Sequence, residues 1–414
     1  MSANVSDASV QKAKEQVEFL CRNVTEVLSK PELIAKIGRS VELGKPLKVK
    51  AGFDPSSPDI HFGHTVLLSK LREFQDLGHE VIFIIGDATA RVGDPSGRTQ
   101  TRPVLSDADI QKNARTYQEQ AFKVLDPAKT RTVYNNEWFG GMKFHDMMGL
   151  ASRITVSQIL QRDDFSKRMA SNAPISLLEL FYPLMQAFDS VQLKSDIELG
   201  GTDQKFNLLL GRELQKEFGQ EPQVVITMPL LVGLDGTQKM SKSLGNHIGV
   251  SEDPKSMFGK CMSISDELMV QYYNLLTATR GADIQKRVQS GELHPKIAKE
   301  ELAEQLTARF CGAAPAAAAR SEFNQVFSNR QNPTDMPHAQ LPAGRHPIVK
   351  VVTAAGLAAS GGAARRLVEQ GAVSWDGVAV RDPQDQVEVT SKPAVLKVGK
   401  KGFASVSSGA SAKP

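Results

Sequence analysis

Two short motifs put groups suited to phosphate chemistry beside predicted strand ends. The first is His61-Phe62-Gly63-His64, which follows a strand and a Pro/Ser-rich turn and opens a helix. Residues three apart share a helix face, so both imidazoles point one way at a helix N-terminus. Such a terminus carries unpaired N–H groups and a partial positive charge, which suits phosphate. Gly63 leaves room for a flat base or sugar against the backbone. Alone, the motif reads equally as two surface histidines capping a helix. The second is Lys239-Met240-Ser241-Lys242-Ser243, after Gly233-Leu234-Asp235-Gly236. Two lysines on a Gly-flanked loop can reach negative charge that develops only in a transition state. Alone, this is also the pattern of a solvated basic loop. A third set, Tyr182, Gln186 and Asp189, occupies positions i, i+4 and i+7 of a predicted helix over 176–191. At ~100° per residue these fall within about 60° of one another, forming a polar stripe. Phe181, Leu184 and Phe188 leave little of that helix free to face solvent.

The elements that must position these groups follow from periodicity. Residues 47–53 alternate like a strand and run into Asp54-Pro55-Ser56-Ser57-Pro58. Helical periodicity over 64–77 stops at Gly78, and 81–85 form a short apolar strand ending at Gly86. This strand–helix–strand unit predicts a doubly wound, Rossmann-like parallel sheet of the α/β class, with ligands beyond the strands' carboxyl ends. The segments expected at the site are therefore 54–64, 86–102, 200–204 and 232–245. Residues 10–40 read as peripheral helix, and 223–231 as the strand that feeds the lysine loop. From about 250 to 330 the pattern is helical and charged. Low complexity over 312–320 and Pro333, Pro337 and Pro342 predict a looser joining region. The expected domains are 1–245, with the catalytic sheet; 246–332, helical; a linker at 333–345; and a small α+β domain at 346–414.

At 414 residues and ~150 per domain, two or three domains are expected. A composition 41% hydrophobic and 23% charged excludes disordered, collagen-like and disulfide-scaffold classes. No apolar run approaches the ~18 residues of a membrane span, and the first residues lack the pattern of a signal peptide. The sequons at Asn4 and Asn23 are therefore taken as chance. Cys21, Cys261 and Cys311 are far apart and lack metal-ligand spacing, so a reducing cytoplasm and no structural metal are expected. Net charge is +4, yet residues 345–414 hold ten Lys/Arg against five Asp/Glu. The excess at the C-terminus points to a polyanionic partner there. Residues 38–46 miss a P-loop in spacing, and no Gly-x-Gly-x-x-Gly follows a strand.

Together, the histidine and lysine motifs resemble the His-x-Gly-His and Lys-Met-Ser-Lys-Ser signatures of class I aminoacyl-tRNA synthetases. With the Tyr182, Gln186 and Asp189 stripe, the chain is most similar to the tyrosine-specific family in its bacterial branch. The segments that carry this are Lys50-Ala51-Gly52-Phe53-Asp54-Pro55, Gly201-Thr202-Asp203-Gln204-Lys205-Phe206-Asn207 and the lysine loop. The resemblance implies tyrosine activation by ATP with Mg2+, transfer to tRNA(Tyr), and a homodimer. It implies that Tyr182, Gln186 and Asp94 hold the substrate amino group, that Asp189 accepts from the phenol, that Asp54 lies at the floor and that Gln204 lies near the substrate carboxylate. It implies that ATP meets Ser56, His61, Gly63, His64, Lys239, Met240, Ser241 and Lys242, and that Arg98 and Arg102 lie around the leaving pyrophosphate. One position departs from the family pattern: Lys50 stands where a phenol-donating tyrosine is often found.

In the tail, 348–358 and 363–370 read as two short helices and 372–380 as a hairpin around Asp376-Gly377. This resembles the RNA-binding domain of ribosomal protein S-four type, with Arg365 and Arg366 on its second helix. Two other readings share parts of the pattern. A tryptophan-specific synthetase shares both signatures but has no use for a hydroxyl reader at Asp189. A non-catalytic RNA-binding relative is expected to lose the histidines or the lysine loop.

Overall fold

The structure is a computed structural model that describes residues 5–96, 106–327, 336–399 and 402–408. Arg98 and Arg102 lie outside the described residues. The chain divides into two compact units, one up to Ala316 and one from Ala317 onward.

The first unit is built on six strands: β1 (Glu26–Leu28), β2 (Lys48–Phe53), β3 (Glu80–Ile85), β4 (Thr130–Tyr134), β5 (Ile197–Gly201) and β6 (Val224–Met228). Their order is β1-β6-β5-β2-β3-β4, parallel except for β1 on β6. Parallel strands covered on both faces read as continuous apolar runs. Residues 81–85 of β3 and all of β6 are buried accordingly. From β2 the chain builds outward through β3 to β4, then returns to the other flank of β2 for β5 and β6. The connections therefore diverge between β2 and β5, and a crevice opens beyond their carboxyl ends.

The crossover from β2 to β3 is the helix Phe62–Asp76, and Gly78 beyond it takes positive φ as expected of a stop. The helix Phe181–Leu193 carries the polar stripe into β5, and Lys205–Glu217 joins β5 to β6. Residues 10–40 are not continuous helix: Asp7–Leu20 and Lys30–Leu43 are helical, and β1 lies between them. A three-residue edge strand is too short to show a period. The stretch expected to be loose lies instead in the helix Ala313–Phe327, with Ala316 and Ala319 buried. Alanine is the best helix former, and Pro315 falls in the first turn, where proline is tolerated.

The second unit holds a five-stranded sheet ordered β10-β9-β12-β13-β7 and a two-stranded one, β11-β8. These are β7 (His338–Leu341), β8 (Gly344–Pro347), β9 (Val373–Trp375), β10 (Val378–Val380), β11 (Gln386–Val389), β12 (Ala394–Val398) and β13 (Gly402–Ser408). β7 pairs with β13 and β8 with β11, so residues 338–345, expected in the linker, are mostly strand. The helices Ile348–Ala354 and Gly361–Glu369 cover Ile348, Val352, Ala364, Val368 and Leu396 in one core. Arg365 and Arg366 are exposed on the second helix.

Candidate active site

A cleft of about 1100 Å³ opens at the carboxyl ends of β2, β3, β5 and β6. It is lined by Asp54, Ser56, His61, Gly63, His64, Asp94, Tyr182, Gln186, Asp189, Gln204, Lys239, Met240 and Ser241. Lys242 is not among the lining residues; it pairs with Asp59.

The histidine wall is set by the helix start. His61 is the N-cap: its Nδ1 accepts from the Gly63 N–H at 3.2 Å, while His64 Nδ1 accepts from the His61 N–H at 3.2 Å. The rings stack with centroids 3.9 Å apart. Burial, with His64, His247 and Lys239 adding to it, drives His61 far below the usual imidazole range. Burial and then Lys239 bring His64 down to about 4. Both rings are therefore neutral at physiological pH. An Nδ1 that accepts leaves the proton on Nε2, so each ring offers a neutral N–H donor to a ligand. Gly63 is required by the packing: a Cβ there falls 2.9 Å from His61 Cε1.

A second group of polar residues surrounds Asp54 and Asp94. Tyr182 Oη donates to Asp54 Oδ2 at 2.9 Å, and Thr89 Oγ1 donates to Asp54 Oδ1 at 2.7 Å. Gly86 makes this possible, because a Cβ there falls 2.1 Å from Asp54 Oδ1. Burial, followed by the charges of Asp54 and Asp94, raises the Tyr182 phenol well above its ordinary value, so it stays a neutral donor. Gln204 Nε2 donates to Asp94 Oδ2 at 2.8 Å, and Asn207 Nδ2 donates to Gln186 Oε1 at 2.8 Å. The buried Arg162 ties this group together. It donates to Ser96 Oγ at 3.0 Å, to Asn207 and to Asp164 at 2.9 Å.

Asp189 is buried, and its carboxylate is held by donors from the end of β4. Trp138 Nε1 donates to Oδ1 at 3.0 Å and Asn135 Nδ2 to Oδ2 at 3.5 Å. Burial pushes the carboxyl up to about 7, against the Lys50 charge and these two hydrogen bonds. Lys50 does not line the cleft; its Nζ lies 2.6 Å from Glu198 Oε1 in a fully buried pair.

The lysine loop is held by carboxylates. Lys239 Nζ pairs with Asp203 at 2.7 Å, and both loop lysines are over a third exposed. Thr89 and Asn207 lie in segments the sequence already marks, though without a role of their own, whereas Asn135, Trp138 and Arg162 lie outside every marked segment. The rule of strand carboxyl ends reaches residues 135–138 after β4, a segment the sequence reading left out. Arg162 has no local signal. Among the described residues, no group of three or more His, Cys, Asp or Glu is gathered as a metal cage, and no helix is long and apolar enough to cross a membrane.

The family "tRNA synthetases class I (W and Y)" matches residues 42–328, and "Tyrosine--tRNA ligase SYY-like C-terminal domain" matches 328–406. The tyrosine–tRNA ligase of Moorella thermoacetica is 52% identical over 397 residues, covering 95% of this chain and 96% of its own. That of Syntrophotalea carbinolica is 51% identical over 403 residues, covering 96% and 98%. Among solved structures, the tyrosyl-tRNA synthetase from Archaeoglobus fulgidus complexed with L-tyrosine shares the fold. Its TM-score is 0.61 at 24% identity, over 74% of this chain and 99% of that one.

Proposed function

The chain belongs to the tyrosine–tRNA ligase family of class I tRNA synthetases, and from that premise we propose a division of labour within its cleft. The enzyme activates L-tyrosine with ATP and passes the tyrosyl group to tRNA(Tyr). Tyr182, Gln186, Asp94 and Asp54 receive the substrate ammonium, Gln204 its carboxylate side, and Asp189 its phenol. Ser56, His61, Gly63, His64, Met240 and Ser241 meet ATP, and Mg2+ arrives with the nucleotide as part of the substrate.

The observation that carries this reading is the shared cleft. The same cleft is lined by two neutral imidazoles, by residues of the lysine loop and by the buried Asp189 carboxylate. In activation, a tyrosine carboxylate oxygen attacks the α-phosphorus, the new C–O–P bond forms, and the bond to pyrophosphate breaks. That carboxylate is ionised at neutral pH because its ordinary pKa is about 3.3–3.7, so no base is required. The task is alignment and stabilisation of charge moving onto pyrophosphate. The His61 and His64 Nε2–H groups donate without adding a charge that ATP must neutralise. Lys239 and Lys242 leave Asp203 and Asp59 for the phosphates, and Arg98 and Arg102 join them.

The segment 246–332 serves the anticodon side, and the basic domain from 346 onward binds RNA, with Arg365 and Arg366 among its contacts. Phe144, Met148, Val156, Met169, Leu177 and Leu178, all between β4 and β5 in the chain, are exposed apolar side chains suited to contact with a second copy. A cytoplasmic location follows from the tRNA partner.

The amine assignment is tested with Asp94→Ala and Gln186→Ala. Hydrogen bonds to a charged group contribute about 1.5–3 kcal/mol, so tyrosine Kd should rise roughly 10- to 150-fold. Unchanged tyrosine binding in both variants would remove these residues from the amine site.

A further inference from the structure

Asp94, Ser96, Gln186 and Gln204 line the cleft, and two buried side chains that do not line it, Arg162 and Asn207, are bonded to them. Together they form a hydrogen-bonded chain whose direction is fixed at both ends. At one end the Asp94 carboxylate, an acceptor, takes a hydrogen bond on Oδ2 from Gln204 Nε2 at 2.8 Å. Gln204 therefore has its Oε1 for Asn207, and that oxygen accepts from Asn207 Nδ2 at 3.1 Å. At the other end Arg162, which has five donors and no acceptor, donates through Nη1 to Asn207 Oδ1. Both ends demand the same orientation of Asn207, with its amide nitrogen toward the glutamines. That nitrogen also donates to Gln186 Oε1 at 2.8 Å. Gln204 is held a second time, by Ser96 Oγ at 3.0 Å. Among the described residues, Asn207 is the only partner hydrogen-bonded to the Gln186 side chain.

We propose that Arg162 is a positioning residue for the substrate ammonium: by fixing Asn207, it keeps the oxygen of the Gln186 amide, and not the nitrogen, in place to receive the amine. This rests on the assignment of Gln186 to the amine. An amide nitrogen is a donor and cannot receive an ammonium, so that assignment requires Oε1. An amide oxygen has two acceptor positions; Asn207 takes one and leaves the other for the substrate. Turned over, Asn207 would set its oxygen toward Gln186, and Gln186 would answer with Nε2. The guanidinium also brings a positive charge 3.9 Å from Asp94 Oδ1, where it would compete with an ammonium. Asp164 offsets that charge, accepting from Nε at 3.0 Å and from Nη2 at 2.9 Å. A buried ion pair contributes little net stability. What this one supplies is a donor of fixed sign behind the amine site.

The test is the Kd of three ligands for the full-length protein: tyrosine, tyramine, which lacks the carboxylate, and para-hydroxyphenylpropanoate, which lacks the amine. Wild type is compared with Asn207→Leu, with the double variant Arg162→Met and Asp164→Leu, and with Gln186→Ala. Asn207→Leu keeps the ion pair, and the double variant removes both of its charges together, so a failure to fold in one leaves the other to be read. In both, Kd for tyrosine and tyramine should rise roughly 10-fold or more, the scale of a hydrogen bond to a charged group, while that for the propanoate changes less than about twofold. A general defect in the pocket would weaken all three ligands alike, and that outcome would overturn the proposal. So would unchanged tyramine binding in these variants where Gln186→Ala weakens it. If Gln186→Ala itself left tyramine binding unchanged, the amine assignment would fall instead.

Discussion

Asp189 and Lys239 belong to one cleft but are held in contrasting ways. Asp189 is 3% exposed and gripped by Trp138 and Asn135. Lys239 is 39% exposed and tied by one carboxylate, Asp203, on a loop flanked by glycines. A group that must refuse a near-identical ligand has to be fixed before that ligand arrives, because an unpaired buried acceptor is what makes the refusal costly. A group that serves a transition state gains from being weakly held in the resting state. Under the proposed division of labour, the buried and doubly held group serves specificity and the exposed, singly tied group serves the phosphates.

The largest effect is expected at the lysines. Lys239→Ala or Lys242→Ala should slow adenylate formation by about 100- to 1,000-fold, the ~2.7–4 kcal/mol typical of a lost electrostatic donor. Tyrosine Kd should be unchanged, and stopped-flow adenylate formation reads both quantities. A lysine variant that bound tyrosine poorly and turned over normally would reverse the assignment of the two regions. Next in size is Asp189→Ala. Leaving a substrate phenol without its acceptor costs about 1–3 kcal/mol, so the tyrosine-to-phenylalanine ratio should narrow roughly 5- to 150-fold. The smallest effect is expected at Asp59, where the resting partner of Lys242 is exposed. Such pairs contribute about 0.2–1 kcal/mol, so Asp59→Asn should change the activation rate by less than about fivefold. A larger loss would make Asp59 part of the site and not a resting tether.

What the sequence revealed follows the same division. His61, His64 and the lysine loop are contiguous motifs at strand ends, and the Tyr182–Gln186–Asp189 stripe obeys helical periodicity, so local reasoning reached them. The doubly wound parallel class followed from one strand–helix–strand unit, but the strand order and the antiparallel β1 did not. What local reasoning missed is tertiary. Trp138 and Asn135 are more than 50 positions from Asp189, and Arg162 reaches Ser96 across 66. The partner of Lys50 appears only once β2 and β5 lie side by side. As a sequence feature Lys50 was only a departure from a pattern; in the sheet it is half of an ion pair.

This cleft activates tyrosine and refuses close analogues. That is tested most directly by ATP–pyrophosphate exchange with the full-length protein and each of the twenty amino acids in turn. Exchange is expected with tyrosine, at a rate with phenylalanine lower by orders of magnitude at equal concentration, and not at all with tryptophan. Exchange with tryptophan comparable to that with tyrosine, or no exchange with any amino acid, would contradict it.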